Sequence, residues 1–393
     1  MEYIKIMLKS GKSDAVLRQH PWVFSGAVKK IYGEPIEGDI VEVISNKEEF
    51  LGFGHYQNGS ISVRVFCFQK IEINEFFWFN KLHDAYKLRE VLGLIDNPMT
   101  NVYRLVFGEG DSLPGLIIDI YKDSAVIQSH SIGMHFLRFT VADALIKLFG
   151  EKLNTIYYKC TETLPKNTDF EKQNEFLLGN KVSEIVTENG LRFNVNWVEG
   201  QKTGFFIDQR YNRELVGKYS KGRRVLNTYC YTGAFSIYAL ANGALSVDSV
   251  DSSMKAIELT NENIDIFGEA KNHRAFAMDA MDYLNDFEEN YDLIILDPPA
   301  FAKHRDVKHR AIQGYKRINA TALQKIAPGG ILFTFSCSQV IDQKLFEATV
   351  TAAAIIAGRK VKVLHHLSQP ADHPYSLFHP EGSYLKGLVL YVD

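Results

Sequence analysis

The rhythm of apolar and polar positions changes three times along the chain. Up to about Lys70, short runs of β-forming residues (Ile40 to Ile44, Leu51 to His55, Ile61 to Phe66) are separated by reversal signals at Gly33, Gly38, Asn58 and Gly59. This pattern predicts a small β domain. From Ile71 to about Gly179 the helical and strand periods mix. Helices are expected at Glu75 to Leu92 and Met134 to Phe149, and strands around Tyr103 to Phe107, Leu116 to Tyr121, Ser124 to Ser129 and Thr155 to Lys159. That is the pattern of an α+β domain. Val182 to Val198 reads as a hairpin turning at Asn189-Gly190, a pair suited to the left-handed backbone of a two-residue turn.

After the hairpin, strands and helices alternate over Val225 to Asn227, Ala234 to Ala241, Ser246 to Val250, Met254 to Phe267, Tyr291 to Leu296, His309 to Ile326 and Gly330 to Phe335. Such alternation predicts a doubly wound, mostly parallel sheet whose ligands lie at the carboxyl ends of its strands. The expected fold class is α/β, with a C-terminal Rossmann-like sheet, an N-terminal small β-barrel and a middle α+β domain. The boundaries fall at 1–70, 71–181 and 182–393.

A chain of 393 residues is too long for one compact core. With 46% hydrophobic and 23% charged residues, no stretch has the composition of a disordered segment. Met1 to Ser10 carries Glu2, Lys5 and Lys9 and so lacks the apolar core of a signal peptide. A cytoplasmic protein without membrane partners is expected. Cys67, Cys160, Cys230 and Cys337 are too scattered for a zinc site or a disulfide framework. The formal charge of -3 excludes a protein that coats nucleic acid non-specifically, so any RNA contact must use local patches.

Candidate chemistry clusters at the strand ends of the last domain. The first strand runs into Asn227-Thr-Tyr229-Cys-Tyr231-Thr232-Gly233 and then a helix, and Asp251 closes the next strand about 20 residues on, the usual place of an acid that holds ribose hydroxyls. Gly233 is the only glycine of the turn, whereas a dinucleotide pyrophosphate calls for several. An adenosine ligand without phosphates, S-adenosylmethionine (SAM), fits. Asp279 follows a short β-like run and could accept a hydrogen bond from an adenine amino group.

A second apolar strand stops at Asp297-Pro298-Pro299-Ala-Phe301, where prolines cannot continue a ladder. Asp297 and the Pro298 carbonyl could grip the edge of a flipped-out base. A third strand ends at the same edge in Ser336-Cys337-Ser338. Carbon 5 of a pyrimidine is too weakly nucleophilic to take a methyl group unaided, so a thiolate must first add to C6. Cys337 is the candidate nucleophile, Cys230 its rival, and Cys67 and Cys160 read as core. Lys303 to Arg310, with Lys303 and Arg305, forms a basic cluster where an RNA backbone would pass.

With these motifs in order, the sequence resembles the ribosomal RNA large subunit methyltransferase I family, SAM-dependent enzymes that make 5-methylcytosine in 23S rRNA. His20-Pro-Trp-Val-Phe-Ser-Gly26 with Gly38-Asp39 is similar to that family's RNA-binding PUA domain, and Phe107 to Leu116 to its central domain. Lys202 to Arg210, the Asn227 to Gly233 turn, Asp297-Pro298-Pro299, Thr334 to Ser338 and Ala371-Asp-His-Pro374 match in the last domain. The resemblance implies that Asp208, Gln209 and Arg210 line the cofactor site, that Cys337 is the nucleophile and that RNA, 23S rRNA in the family, is the partner. Related cytosine enzymes on other scaffolds place a second cysteine after the proline loop, where this chain has Ala300, so another group must take the C5 proton.

Two other readings stay open at this point. One is methylation of an exocyclic amine, with Phe301 one place late for the stacking ring. The other is a non-catalytic RNA-binding protein with a vestigial fold, against which the joint presence of Asp251, Asp297 and Cys337 weighs. A homodimer is neither required nor excluded by the sequence.

Overall fold

A computed structural model describes residues 3–166, 168, 170–268, 270–286, 290–301 and 307–393. The chain forms two compact units, one of residues 1–186, 195–205 and 371–382, the other of residues 187–194, 206–370 and 383–393.

The first unit holds two sheets. Strands β1 (Ile4–Leu8), β2 (Trp22–Phe24), β3 (Val28–Tyr32), β4 (Ile40–Ile44), β5 (Phe50–Tyr56) and β6 (Ile61–Cys67) pair in the order β2-β6-β5-β4-β1-β3, with β1 parallel to β4. Their alternating Val and Ile side chains, Ile6, Val41, Val43, Val63 and Val65 among them, close one core. Strands β7 (Val102–Phe107), β8 (Leu116–Tyr121), β9 (Ser124–Ser129), β10 (Thr155–Tyr158) and β11 (Glu175–Leu178) form the second sheet, against which the helix Glu75–Val91 packs. The expected helix Met134 to Phe149 is two helices, Ile132–Phe136 and Arg138–Phe149, which meet at Leu137. Ser131 caps the first by accepting from the Met134 amide, a start signal hidden by the apolar residues around it.

The hairpin forms as expected from β12 (Ser183–Glu188) and β13 (Leu191–Asn196), with Asn189 and Gly190 both at positive φ (50° and 81°).

The second unit is built on β14 (Arg224–Thr228), β15 (Ser246–Asp251), β16 (His273–Ala277), β17 (Leu293–Leu296), β18 (Gly330–Ser336), β19 (Val361–Leu367) and β20 (Lys386–Val392), in the order β16-β15-β14-β17-β18-β20-β19. The first five are parallel and β20 runs antiparallel between β18 and β19. Every residue of β17 and β18 is buried, which is why these strands read as continuous apolar runs and not as alternations. The order reverses direction at β14 and β17, opening a crevice at their carboxyl ends.

Candidate active site

The turn after β14 is held in an unusual backbone. Tyr229 and Tyr231 both have positive φ (56° and 48°), as does Gly233 (72°). For a bulky side chain this region costs about 1–2 kcal/mol per residue, and it persists only where neighbours over-determine it. The Cys230 amide donates to the Val250 carbonyl at 3.1 Å, the Tyr231 amide to Asp251 Oδ2 at 3.1 Å, and the Gly233 amide to the Cys230 carbonyl at 2.8 Å. Thr260 and Asn263 donate to the carbonyls of Tyr231 and Thr232. A Cβ at Gly233 would lie 2.7 Å from the Thr260 side chain, so glycine is required there by packing as well as by φ.

Asp251 therefore has a definite job in the protein itself. Its Oδ2 accepts from Tyr231 and its Oδ1 from the Ser253 amide at 2.9 Å. Ser253, not Asp251, caps the helix Met254–Phe267. Asn227 is fully buried and donates to Ser236 at 2.9 Å, at the head of a hydroxyl chain through Ser249 to His273. It braces the strand beneath the turn. Thr232 is likewise buried.

Beside the turn lies a cavity of about 690 Å³ lined by Tyr229, Asp279, Met281, Phe301, Arg310 and Arg317, among others. This is within the size range of small-molecule pockets, about 300–1,000 Å³. Asp279 Oδ1 accepts from the amides of Met281 and Asp282, and Oδ2 has no protein partner among the described residues. Burial and the Asp279 charge push the Tyr229 phenol upward, so it stays protonated as a donor. Phe301 packs on Tyr315 (ring centroids 4.7 Å apart) and against Gly314, where a Cβ would come within 3.0 Å of the ring. Phe301 is thus a wall of this cavity shared with Tyr229 and Asp279.

Residues far apart in sequence close the rest of the site. Gln209 donates to Asp297 Oδ2 at 3.0 Å, and Asn212 fixes the other end of the Gln209 amide. Phe206 packs edge-on against Tyr231 with ring centroids 5.2 Å apart. The segment 206–210 thereby bridges the strand ends of β14 and β17. Asp208 accepts from Tyr384, and Arg210 lies 3.5 Å from the carboxylate of Glu188, which also takes two bonds from Arg213 at 2.8 and 2.7 Å. Pro298 is buried and Pro299 exposed. Lys303 and Arg305 lie outside the described residues.

Cys337 follows β18 and is half-buried, whereas Cys67, Cys160 and Cys230 are buried. Burial raises the Cys230 thiol to about 12, and its sulfur lies 3.5 Å from the Thr260 hydroxyl. Strands β17 and β18 pair in parallel with Leu296 opposite Thr334, which sets Asp297 and Cys337 at the same edge of the sheet, and burial chiefly raises the Tyr315 phenol to about 12.

A family model described as S-adenosylmethionine-dependent methyltransferase matches residues 167–376, and a PUA-like domain model matches residues 6–68. Among curated proteins, the ribosomal RNA large subunit methyltransferase I of Aeromonas hydrophila is 39% identical over 98% of both chains. That of Pseudoalteromonas atlantica is 40% identical over 98% of both. The chain belongs to the ribosomal RNA large subunit methyltransferase I family. It is a SAM-dependent methyltransferase.

Its fold is shared by a SAM-dependent methyltransferase from Streptococcus mutans, with a TM-score of 0.84 at 22% identity over 99% of this chain and all of that one. A second structure, a methyltransferase complexed with SAH, aligns with a TM-score of 0.85 at 23% identity over the same shares. Among the described residues no helix is long and apolar enough to cross a membrane.

For this family member the turn, the pocket and Gly233 suit an adenosine-bearing cofactor, with acceptors at Asp251 and Asp279 and no nest of glycines for phosphate. Three members of the site gave no signal in the sequence. Glu188 comes from the hairpin, Tyr384 and Lys386 from the end of the chain. Only the antiparallel insertion of β20 next to β18 brings Lys386 level with Ser336.

Proposed function

We propose that this protein forms 5-methylcytosine in RNA of the large ribosomal subunit, with Cys337 as the nucleophile. The observation that carries the mechanism is the contrast among its cysteines. Cys337 is the one that reaches the carboxyl edge of the sheet half-buried, on the strand paired with the one that ends at Asp297. The names of its curated relatives support an rRNA substrate.

In this reading Tyr229, Tyr231, Thr232, Gly233, Asp251 and Asp279 hold the cofactor, the first through the pocket wall and the others through the turn and the acids that fix it. Asp208, Gln209 and Arg210 brace that site, with Asn227 behind the turn. SAM supplies the electrophilic methyl group. Asp297, oriented by Gln209, accepts from the cytosine edge, and Pro298, Pro299 and Phe301 bound the base. The Cys337 sulfur adds to C6, its electron pair forming the S–C6 bond while the C5=C6 π pair is displaced onto C5, which becomes nucleophilic enough to take the methyl group, with S-adenosylhomocysteine as the leaving group. Loss of the C5 proton to a base then restores the C5–C6 double bond and expels the thiolate.

RNA would run along the helix Lys308–Lys325. That helix carries Lys308, Arg310, Lys316, Arg317 and Lys325 with no acidic residue, and Arg310 and Arg317 border both the cavity and its neighbour. Lys303 and Arg305 would extend this basic track.

RNA bearing 5-fluorocytosine tests the reading, because fluorine at C5 blocks the last step and leaves enzyme and base joined. The adduct should form with the wild type and with Cys230→Ala, and should be absent with Cys337→Ala, which should still bind SAM and methylate nothing. A trapped peptide containing Cys230, or methylation by Cys337→Ala, would exclude this mechanism. Bisulfite sequencing of RNA with and without the gene would give the base and its position.

A further inference from the structure

Lys386 is a buried cation. It sits on β20 directly opposite Ser336, the last residue of β18, and is only 7% exposed. Its ammonium donates to the Ser338 carbonyl at 2.6 Å. The side chain therefore spans from the register of Ser336 to the carbonyl of Ser338, across the position of Cys337. Among the described residues it makes no ion pair. Buried lysines are rare unless paired, because an uncompensated ammonium is costly to take out of water.

Among the described residues, two groups act on Lys386. Asp342, which caps the helix Gln343–Ala357 by accepting from Leu345, acts on Lys386 at a distance, and Cys337 acts on it more strongly. Cys337 and Asp297 both act on Tyr315, whose phenol stays neutral. Burial outweighs both partners and lowers Lys386 to about 8, which leaves it mostly charged near neutral pH.

We propose that Lys386 is the positioning residue that keeps Cys337 as a thiolate, its ammonium taking the place of the histidine that activates cysteine in other nucleophilic sites. This rests on the reading of Cys337 as the nucleophile. In the step concerned the S–H bond breaks, the proton passes to solvent, and the electron pair stays on sulfur beside the ammonium. The cost of burying each charge is offset by the other, and the sulfur is returned to the same pair when the C6 bond breaks.

Alkylation of Cys337 by iodoacetamide, read by peptide mass as a function of pH without RNA or SAM, tests this directly. In the wild-type protein the rate should titrate below the ordinary thiol value of about 8.5. In Lys386→Met the midpoint should rise by at least about one unit, which slows labelling near neutral pH about tenfold or more, while Lys386→Arg should restore most of the rate. SAM affinity should be unchanged in both variants. A wild-type midpoint at or above the ordinary thiol value would overturn the proposal even if the Met variant fails to fold, and so would equal profiles in wild type and Lys386→Met. These outcomes are independent of methylation. If Cys337→Ala proves active, the reaction assigned to Cys337 fails, while a depressed thiol that depends on Lys386 would still stand.

Discussion

Removing the Glu188 carboxylate should destabilise the second unit more than any other single change on the hairpin. Glu188 is fully buried, and its two oxygens take bonds from Arg213 at 2.8 and 2.7 Å and from the Tyr238 hydroxyl at 3.0 Å, with Arg210 at 3.5 Å. Arg213 also donates to the Phe206 carbonyl at 2.8 Å. In Glu188→Ala the Arg213 guanidinium stays buried with its counter-charge gone, which costs about 3–5 kcal/mol.

Glu188→Gln keeps the volume and one acceptor, so about half that loss is expected, since charge-assisted bonds are roughly twice as strong as neutral ones. Both arginines lie in the first turn of the helix Arg210–Ser220, next to Gln209 and its bond to Asp297, so SAM affinity should fall with stability. Because a chain of two units need not unfold in one step, the transition to follow in urea is the one that SAM shifts. If Glu188→Ala moves that transition by less than about 0.5 kcal/mol, the range of an ordinary surface change, the ion pair does not brace this unit.

Other outcomes follow from the first unit. Gly110→Ala would place a Cβ 1.9 Å from the Pro374 carbonyl, so the backbone must move. A loss of about 1–3 kcal/mol is expected, and a thermal midpoint equal to wild type would refute that packing. His55 is buried and held down to about 3, first by burial and then by Arg64. It is neutral when folded, whereas in the unfolded chain it takes up a proton below the ordinary value of 6.5. Stability should be full above that pH and fall by about 1.4 kcal/mol per unit on account of this histidine as pH drops towards its folded value. Thermal midpoints that stay flat from about pH 7 to about pH 5 would contradict this, since histidine alone among unperturbed side chains titrates there.

How far the sequence reaches can be judged from particular elements. The β17 run Leu293–Leu296 and its halt at Asp297-Pro298-Pro299 were legible because they are local: a buried parallel strand must be apolar, and proline cannot donate to a ladder. The Asn189-Gly190 turn was legible for the same reason, as were β14, β15, β18 and the helices between them. The helix break at Leu137, the edge strand β11 and the last strands β19 and β20 were not, because their ends are set by neighbours and not by their own caps or periods.

The site divides along the same line. Sequence alone picked out Asp297, Cys337, Gly233 and Asp251, each of which ends a strand or shapes the turn after one. It could not say that Asp251 spends its oxygens on the amides of Tyr231 and Ser253, or that Asn227 faces inward. Nor does it signal that residues 371–382 pack with the unit built by residues 1–186. Lys386 is the plainest case. In the sequence it is one lysine in an apolar run near the chain's end, and periodicity marks it only as a polar interruption. The insertion of β20 antiparallel to β18 puts it opposite Ser336 and buries it there. Strand order and burial are properties of the folded chain as a whole, and local sequence does not encode either.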